Sequence, residues 1–160
     1  ALPICVVSYV HNAASTGMGG IGVLVALESE ADAATLDGLG KQLAMHIAAA
    51  FPLSLDESGL DADTLERERG IAREKASESG KPADIVEKMV EGTMKKFLNE
   101  VSLVEQGFVI DPEQKVGAVL AKGGAKVHSF VRLEVGEGIA KVEVDFAAEV
   151  AATQAAAAGK

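Results

Sequence analysis

Residues 79–100, SGKPADIVEKMVEGTMKKFLNE, decide the fold because they describe one arm of a helical hairpin. Gly80 suits the end of a preceding helix, and Pro82 suits the first turn of the next one. Apolar side chains then recur at spacings of three and four, which is typical of a helix with one buried stripe: Ile85, Val86, Met89, Val90, Met94 and Phe97.

The residues before this stretch predict the other arm. Asp61 is a good N-cap, and residues 65–79, LERERGIAREKASES, are dense in charge and poor in apolar side chains. Such a helix has too little apolar surface to lie inside a globular core. We therefore expect residues 56–101 to form an antiparallel helical hairpin, or coiled coil, that projects from the rest of the protein.

The flanking sequence predicts a small antiparallel sheet packed by helices, an α+β fold. One subdomain, residues 1–160, should contain the inserted hairpin. Residues 101–110 show no clear pattern. The expected strands are 4–11, 21–27 and 126–135, and the expected helices are 33–51, 113–120 and a last helix over 146–160.

Composition limits the classes of partner. The chain has 160 residues and a formal net charge of −9, so a nucleic-acid backbone or an anionic membrane would be repelled. No apolar run is long enough to span a bilayer, and residues 1–4 do not resemble a signal peptide. A single cysteine, Cys5, fits a reducing compartment, and we expect a cytoplasmic protein. The chain begins without Met, as a fragment of a longer protein would.

No motif supports covalent chemistry, and we predict no catalytic residue, metal or cofactor. Residues 17–22, GMGGIG, match G-x-G-x-x-G, but they precede an expected strand, so we interpret residues 12–20 as a hairpin loop. His46 and His128 have no partner at metal-ligand spacing. His11 ends the first expected strand beside the loop, where binding residues often lie.

The second arm of the hairpin resembles the signature of bacterial translation elongation factor Ts. Further motifs extend this resemblance in family order over nearly the whole chain: SGKP (79–82), IVEKMVEG (85–92), MKKF (94–97), EVSL (100–103), YVH (9–11) with IGVLV (21–25), AMHIAA (44–49), FVRLEVGEGI (130–139) and DFAAEV (145–150).

The resemblance implies a guanine-nucleotide exchange factor that binds the GTPase elongation factor Tu and promotes GDP release without a covalent step. It also implies that this segment contacts the third domain of that GTPase, and that the family's histidine at the end of the first strand falls on His11. We predict a partner-binding site formed by His11, Asn12, Met18 and Gly19. Self-association is a further expected contact.

Some family features have no counterpart in the sequence. The family's N-terminal helical module and the first half of its core are missing, so the chain resembles the C-terminal half of the core. The missing half holds a Thr-Asp-Phe exchange motif, and we expect weak exchange or none from this chain alone. Val144-Asp145-Phe146 resembles that motif, but we interpret it as a helix cap followed by a core anchor. Thr93 and Gly107 stand where the family commonly has Arg and Pro.

Two alternatives stay open at this point. A stand-alone coiled-coil adaptor would use the helical hairpin as its binding face. A small nucleotide-binding enzyme would use the glycine-rich residues 17–22.

Overall fold

A three-stranded antiparallel sheet organises residues 3–138, the part of the chain that the computed structural model describes. Strand β1 (Ile4–Ser15) pairs with β2 (Met18–Ser29), and the other edge of β2 pairs with a strand distant in sequence, Ala125–Glu134. The expected α+β class with an antiparallel sheet packed by helices is confirmed. The predicted last helix, 146–160, lies outside the described residues.

Helix α1 (Ala33–Ala50) packs on one face of this sheet, which we call the inner face. The Asp32 side chain caps its first turn by accepting from the amides of Ala34 and Thr35. Hydrogen bonds, above all with the Thr35 hydroxyl, lower the pKa of Asp32. The buried stripe of α1 meets the central strand in a core of aliphatic side chains: Leu36, Leu43, Ala44, Ile47, Val23, Val25 and Leu27.

Backbone hydrogen bonds connect the two ends of the helical insertion, residues 53–54 and 101–103, which we call its feet. The Leu53 amide donates to the Val101 carbonyl at 2.9 Å, and the Leu103 amide donates to the Ser54 carbonyl at 2.9 Å. Between these feet lie α2 (Ala62–Ser77) and α3 (Ala83–Val101). Because both ends of the insertion meet at one point, the two helices begin and end beside the same edge of the core.

Helices α2 and α3 bury a hydrophobic cluster of their own, separate from the core under the sheet. Its buried members are Ala72, Ala76, Val86, Val90 and Met94. The two alanines allow the helices to approach closely. Outside this seam, Arg73 contacts Glu87 at 3.2 Å, and both side chains are more than half exposed. Exposed ion pairs contribute little, so the apolar seam holds the two helices together.

After the second foot, the predicted helix over 113–120 proved wrong in its first turn. Strand β3 (Gly107–Phe108) and strand β4 (Asp111–Lys115) form a small hairpin, and helix α4 (Val116–Lys122) begins only afterwards. Asp111-Pro112 had suggested a helix start. The buried Phe108 instead anchors the turn to the main core, and this draws the following residues into strand pairing. Strand β5 (Ala125–Glu134) then closes the sheet close to the range predicted.

The face of the sheet opposite α1, which we call the outer face, carries exposed apolar side chains. Val10 is 36% exposed and Leu133 is 67% exposed, and the other members are Ile4, Val6, Leu24 and Val131. None of the described helices is long and apolar enough to cross a membrane.

His46 links three elements inside the core, where it is 1% exposed. The Val109 amide donates to its Nδ1 at 3.1 Å, so Nε2 carries the proton and donates to the Gln106 Oε1 at 2.9 Å. The Gln106 side-chain amide in turn donates to the carbonyl of Glu100 at 2.6 Å. Burial lowers the pKa of His46, and the hydrogen bond to Gln106 only partly opposes this.

Protonation of His46 should therefore destabilise the fold at mildly acidic pH. An unfolded histidine takes up a proton near pH 6.5, whereas the buried ring resists it. The unfolded chain then binds more protons, so the free energy of unfolding should fall as the pH drops below that value, by at most about 1.4 kcal/mol per pH unit. Above that value His46 is neutral in both states and contributes no pH dependence.

Urea unfolding at about pH 7.5 and about pH 5.5 would measure this effect in the unmodified chain and in His46→Gln. The glutamine variant should lose less stability between the two conditions. His128→Gln, at an exposed position of β5, is the matched control and should behave like the unmodified chain. An equal loss in all three proteins would show that His46 is not responsible.

Candidate partner-binding site

The four residues predicted to bind a partner lie together on the hairpin of β1 and β2. His11 pairs with Ile21, and Met18 pairs with Ser15 next to the turn. The loop predicted over residues 12–20 was wrong, because strand pairing continues to the two-residue turn Thr16-Gly17. Asn12, Met18 and Gly19 therefore lie on strands, and the four predicted residues belong to a strand-paired hairpin arm rather than to a loop.

His11 lies on the inner face, half-buried at the end where that face opens to solvent. Its Nδ1 is 3.0 Å from the Tyr9 hydroxyl, and the two ring centroids are 5.9 Å apart. The phenol can donate to Nδ1 and so leave Nε2–H as a donor toward a partner. The tyrosine thus fixes the orientation of the imidazole before any contact is made.

Asn12 has a backbone conformation that is unusual for a residue in a strand. Its φ is +52°, in the left-handed region that asparagine tolerates better than most residues, and its side chain is exposed. An irregularity in the pairing follows between Ala13 and Ser15. Bulges of this kind increase the local twist of a strand and re-aim its side chains.

Gly19 lies where the two strands come too close for a side chain. A Cβ at this position would be 2.5 Å from the His11 carbonyl oxygen and 2.5 Å from Val10 Cγ1. Met18, one residue nearer the tip, is 64% exposed. A flexible thioether at a strand tip is well suited to an apolar pocket of a partner.

The glycine-rich residues 17–22 occupy the turn and the start of β2. A dinucleotide site would need a helix N-terminus at this point to receive the phosphates, and a strand is there instead. Within residues 3–138, no three His, Cys, Asp or Glu side chains come together as a metal site would require.

Two residues near this hairpin arm were not predicted from the sequence to belong to a site. Arg132 on β5 is in the same cross-strand row as Tyr9, since both pair with Val23. Its guanidinium lies 4.4 Å from the centre of the Phe51 ring, just after α1. Strict alternation along β5 would place Arg132 on the face opposite Val127, because the two residues are an odd number of positions apart. A register shift opposite Ala26 and Leu27 brings both residues to the inner face, and no local pattern signals that shift.

Removing the close approach at Gly19 should cost stability. Gly19→Ala would force the backbone of His11 away, at a cost of about 1–3 kcal/mol. Gly22→Ala is the matched control on the same strand, because a Cβ there would meet nothing within 4 Å. Thermal unfolding followed by circular dichroism would compare them. Equal melting temperatures for the two variants would contradict the geometry described for Gly19.

Comparison with known proteins identifies a matching family and relatives that cover most of this chain. The family model described as "Elongation factor TS" matches residues 3–137. Elongation factor Ts of Erythrobacter litoralis is 58% identical over 153 residues, covering 92% of this chain and 50% of that relative. The Dinoroseobacter shibae protein of the same name is 58% identical, covering 92% of this chain and 49% of the relative. That of Paracoccus denitrificans is 55% identical, with coverages of 95% and 51%.

Proposed function

Because the chain belongs to the elongation factor Ts family, we propose that it is the partner-binding part of a guanine-nucleotide exchange factor that acts on the GTPase elongation factor Tu. The family match over residues 3–137 is the observation that carries this proposal. The chain spans about half the length of the curated relatives that it matches. We assign it to the C-terminal half of the family's core, with a cytoplasmic role in translation.

The proposed activity needs only differential binding. A factor that binds the nucleotide-free GTPase more tightly than the GDP-bound form lowers the affinity for GDP by the same factor, since the coupling is reciprocal. A hydrogen-bonded imidazole, an exposed thioether and a strand-paired backbone fit such a role. The imidazole and the paired backbone are held in place before the partner arrives, so ordering them on binding costs little conformational entropy.

Self-association is a separate proposal that the outer face supports. Its exposed apolar side chains lie in cross-strand rows, for example Leu24 beside Val131. An exposed apolar sheet face of this kind could pack on the same face of a second copy. The inner-face end at His11 would remain free in such a pair.

Exchange by the isolated chain tests the proposed function directly. We expect the chain to bind elongation factor Tu weakly in calorimetry and to accelerate GDP release barely above the spontaneous rate in stopped-flow fluorescence. The reason is that the Thr-Asp-Phe motif, which the family resemblance links to exchange, has no counterpart in its expected place. Near-full exchange by this chain would contradict the division of roles, and a complete lack of binding would contradict the function itself.

Replacing His11 tests the site. His11→Ala should weaken binding to the GTPase roughly tenfold, the loss expected for one oriented contact. Its circular dichroism and melting temperature should change little, because the ring is only half-buried. His128→Ala, at an exposed position of the same sheet, is the matched control. Unchanged affinity in calorimetry would remove His11 from the site.

A shortened chain separates this proposal from the adaptor alternative. The feet of the insertion already meet through Leu53 and Val101, so residues 61–100 can be replaced by a short linker. Binding that survives the replacement places the contact on the sheet. Binding that disappears while His11→Ala has no effect would favour the helical hairpin as the binding face.

A further inference from the structure

Arg132 is a buried cation whose hydrogen-bonding capacity is mostly unused. Its side chain is 9% exposed, and Nη2 donates to Glu134 Oε2 at 2.8 Å. Its Nε and Nη1 are fully enclosed and have no hydrogen-bond partner among the described residues. Leaving donors of a buried charged group unsatisfied is costly, but these enclosed nitrogens are out of reach of a partner, so a new acceptor would have to take the place of Glu134 at Nη2.

Phe51 beside it is an aromatic residue held partly in solvent. Its φ of +49° lies in the left-handed region that a phenylalanine rarely adopts, and its side chain is 46% exposed. The Arg132 guanidinium contacts the ring face at 4.4 Å, a cation–π geometry. Phe51 is the C-cap residue that ends α1 ahead of Pro52, where a left-handed conformation is common, so the end of the helix presents the exposed ring beside Arg132.

The two residues continue the surface that starts at His11. His11, Ile21 and Glu134 form one cross-strand row of the inner face, and Tyr9, Val23 and Arg132 form the next. Three strands at the usual spacing put the outer members of a row about 10 Å apart. A protein that contacts His11 therefore has Glu134 within reach, with Arg132 and the ring of Phe51 one row further along the sheet.

We propose that Phe51 and Arg132 form a second contact point for the GTPase partner, an inference that rests on the function proposed above. The Phe51 ring enters an apolar pocket of the partner. The Arg132 guanidinium binds an aspartate or glutamate carboxylate at the rim of that pocket. Glu134, whose side chain is 48% exposed, occupies that place in the free protein and turns outward when the partner's carboxylate replaces it.

The surroundings favour a protein carboxylate over a polyanion such as RNA. The formal net charge of the chain is −9, and Glu134 adds a negative charge beside Arg132. A polyphosphate brings several negative charges and would meet far more repulsion from both than a single carboxylate, which one guanidinium can balance. Aromatic and arginine side chains are also the types that contribute most at protein interfaces.

Three variants and one control test the contact. Calorimetry measures the affinity of each for the nucleotide-free GTPase at several salt concentrations. Phe51→Ala should weaken binding about tenfold with an unchanged salt dependence. Arg132→Gln should weaken it by a similar factor and flatten the salt dependence, since a charge pair is lost. Glu134→Gln should tighten binding by roughly threefold, because it removes the internal competitor. Ile71→Ala, at a 39% exposed apolar residue of α2, should change nothing.

The Glu134→Gln result distinguishes a contact from a structural role. If Arg132 only supports the fold, Glu134→Gln and Arg132→Gln will shift the melting temperature together and leave affinity unchanged or weakened in both, which overturns the inference. Full binding by Phe51→Ala also overturns it. When His11→Ala weakens binding but these variants do not, only this inference fails. When the unmodified chain does not bind at all, the proposed function fails and this inference fails with it.

Discussion

The packing of α1 against the inner face of the sheet is the constraint on which the rest of the molecule depends. The sheet has only three strands, and its central strand supplies Val23, Val25 and Leu27 to the core. A three-stranded sheet is stable only when one face is covered. Gly40 shows how close the contact is, since a Cβ there would lie 2.5 Å from a methyl group of Val7. Every other element is placed relative to this layer.

From this layer the chain builds two neighbouring regions of different character. Near the last turn of α1, His46 and Gln106 connect α1, the second foot of the insertion and the β3–β4 hairpin through satisfied hydrogen bonds. On the sheet, Arg132 keeps two enclosed nitrogens without a hydrogen-bond partner among the described residues and contacts the exposed ring of Phe51. This difference in hydrogen bonding is the reason for proposing a contact at Arg132 and Phe51 rather than at His46.

The sequence predicted those parts of the fold that follow from local patterns. The stripes of α1 and α3, the cap at Asp61 and the extent of β5 each depend on neighbouring residues only, and each lies close to where it was expected. The long arm of β1 and β2 was missed because its glycines suggested a loop, whereas Gly19 is required by the close approach of a second strand. Contacts between distant segments decide such positions.

The residues of the candidate site likewise include some that the sequence predicted and two that it did not. His11 could be found because it ends an apolar strand and matches a family position. Arg132 and Phe51 could not be found, since they are 81 residues apart by their numbering and meet only once α1 lies on the sheet. The unsatisfied state of Arg132 is a property of the packed molecule, and a composition or a spacing carries no trace of it.

The closed feet of the helical insertion have an evolutionary consequence. Chain segments whose ends already touch can be lengthened, shortened or exchanged without moving the elements that flank them. Since α2 and α3 also bury a separate cluster, a substitution in the insertion need not be compensated by one in the sheet, and the two parts can diverge independently. Relatives should therefore tolerate variation in the length of the helical insertion far better than in the spacing between His11 and Gly19.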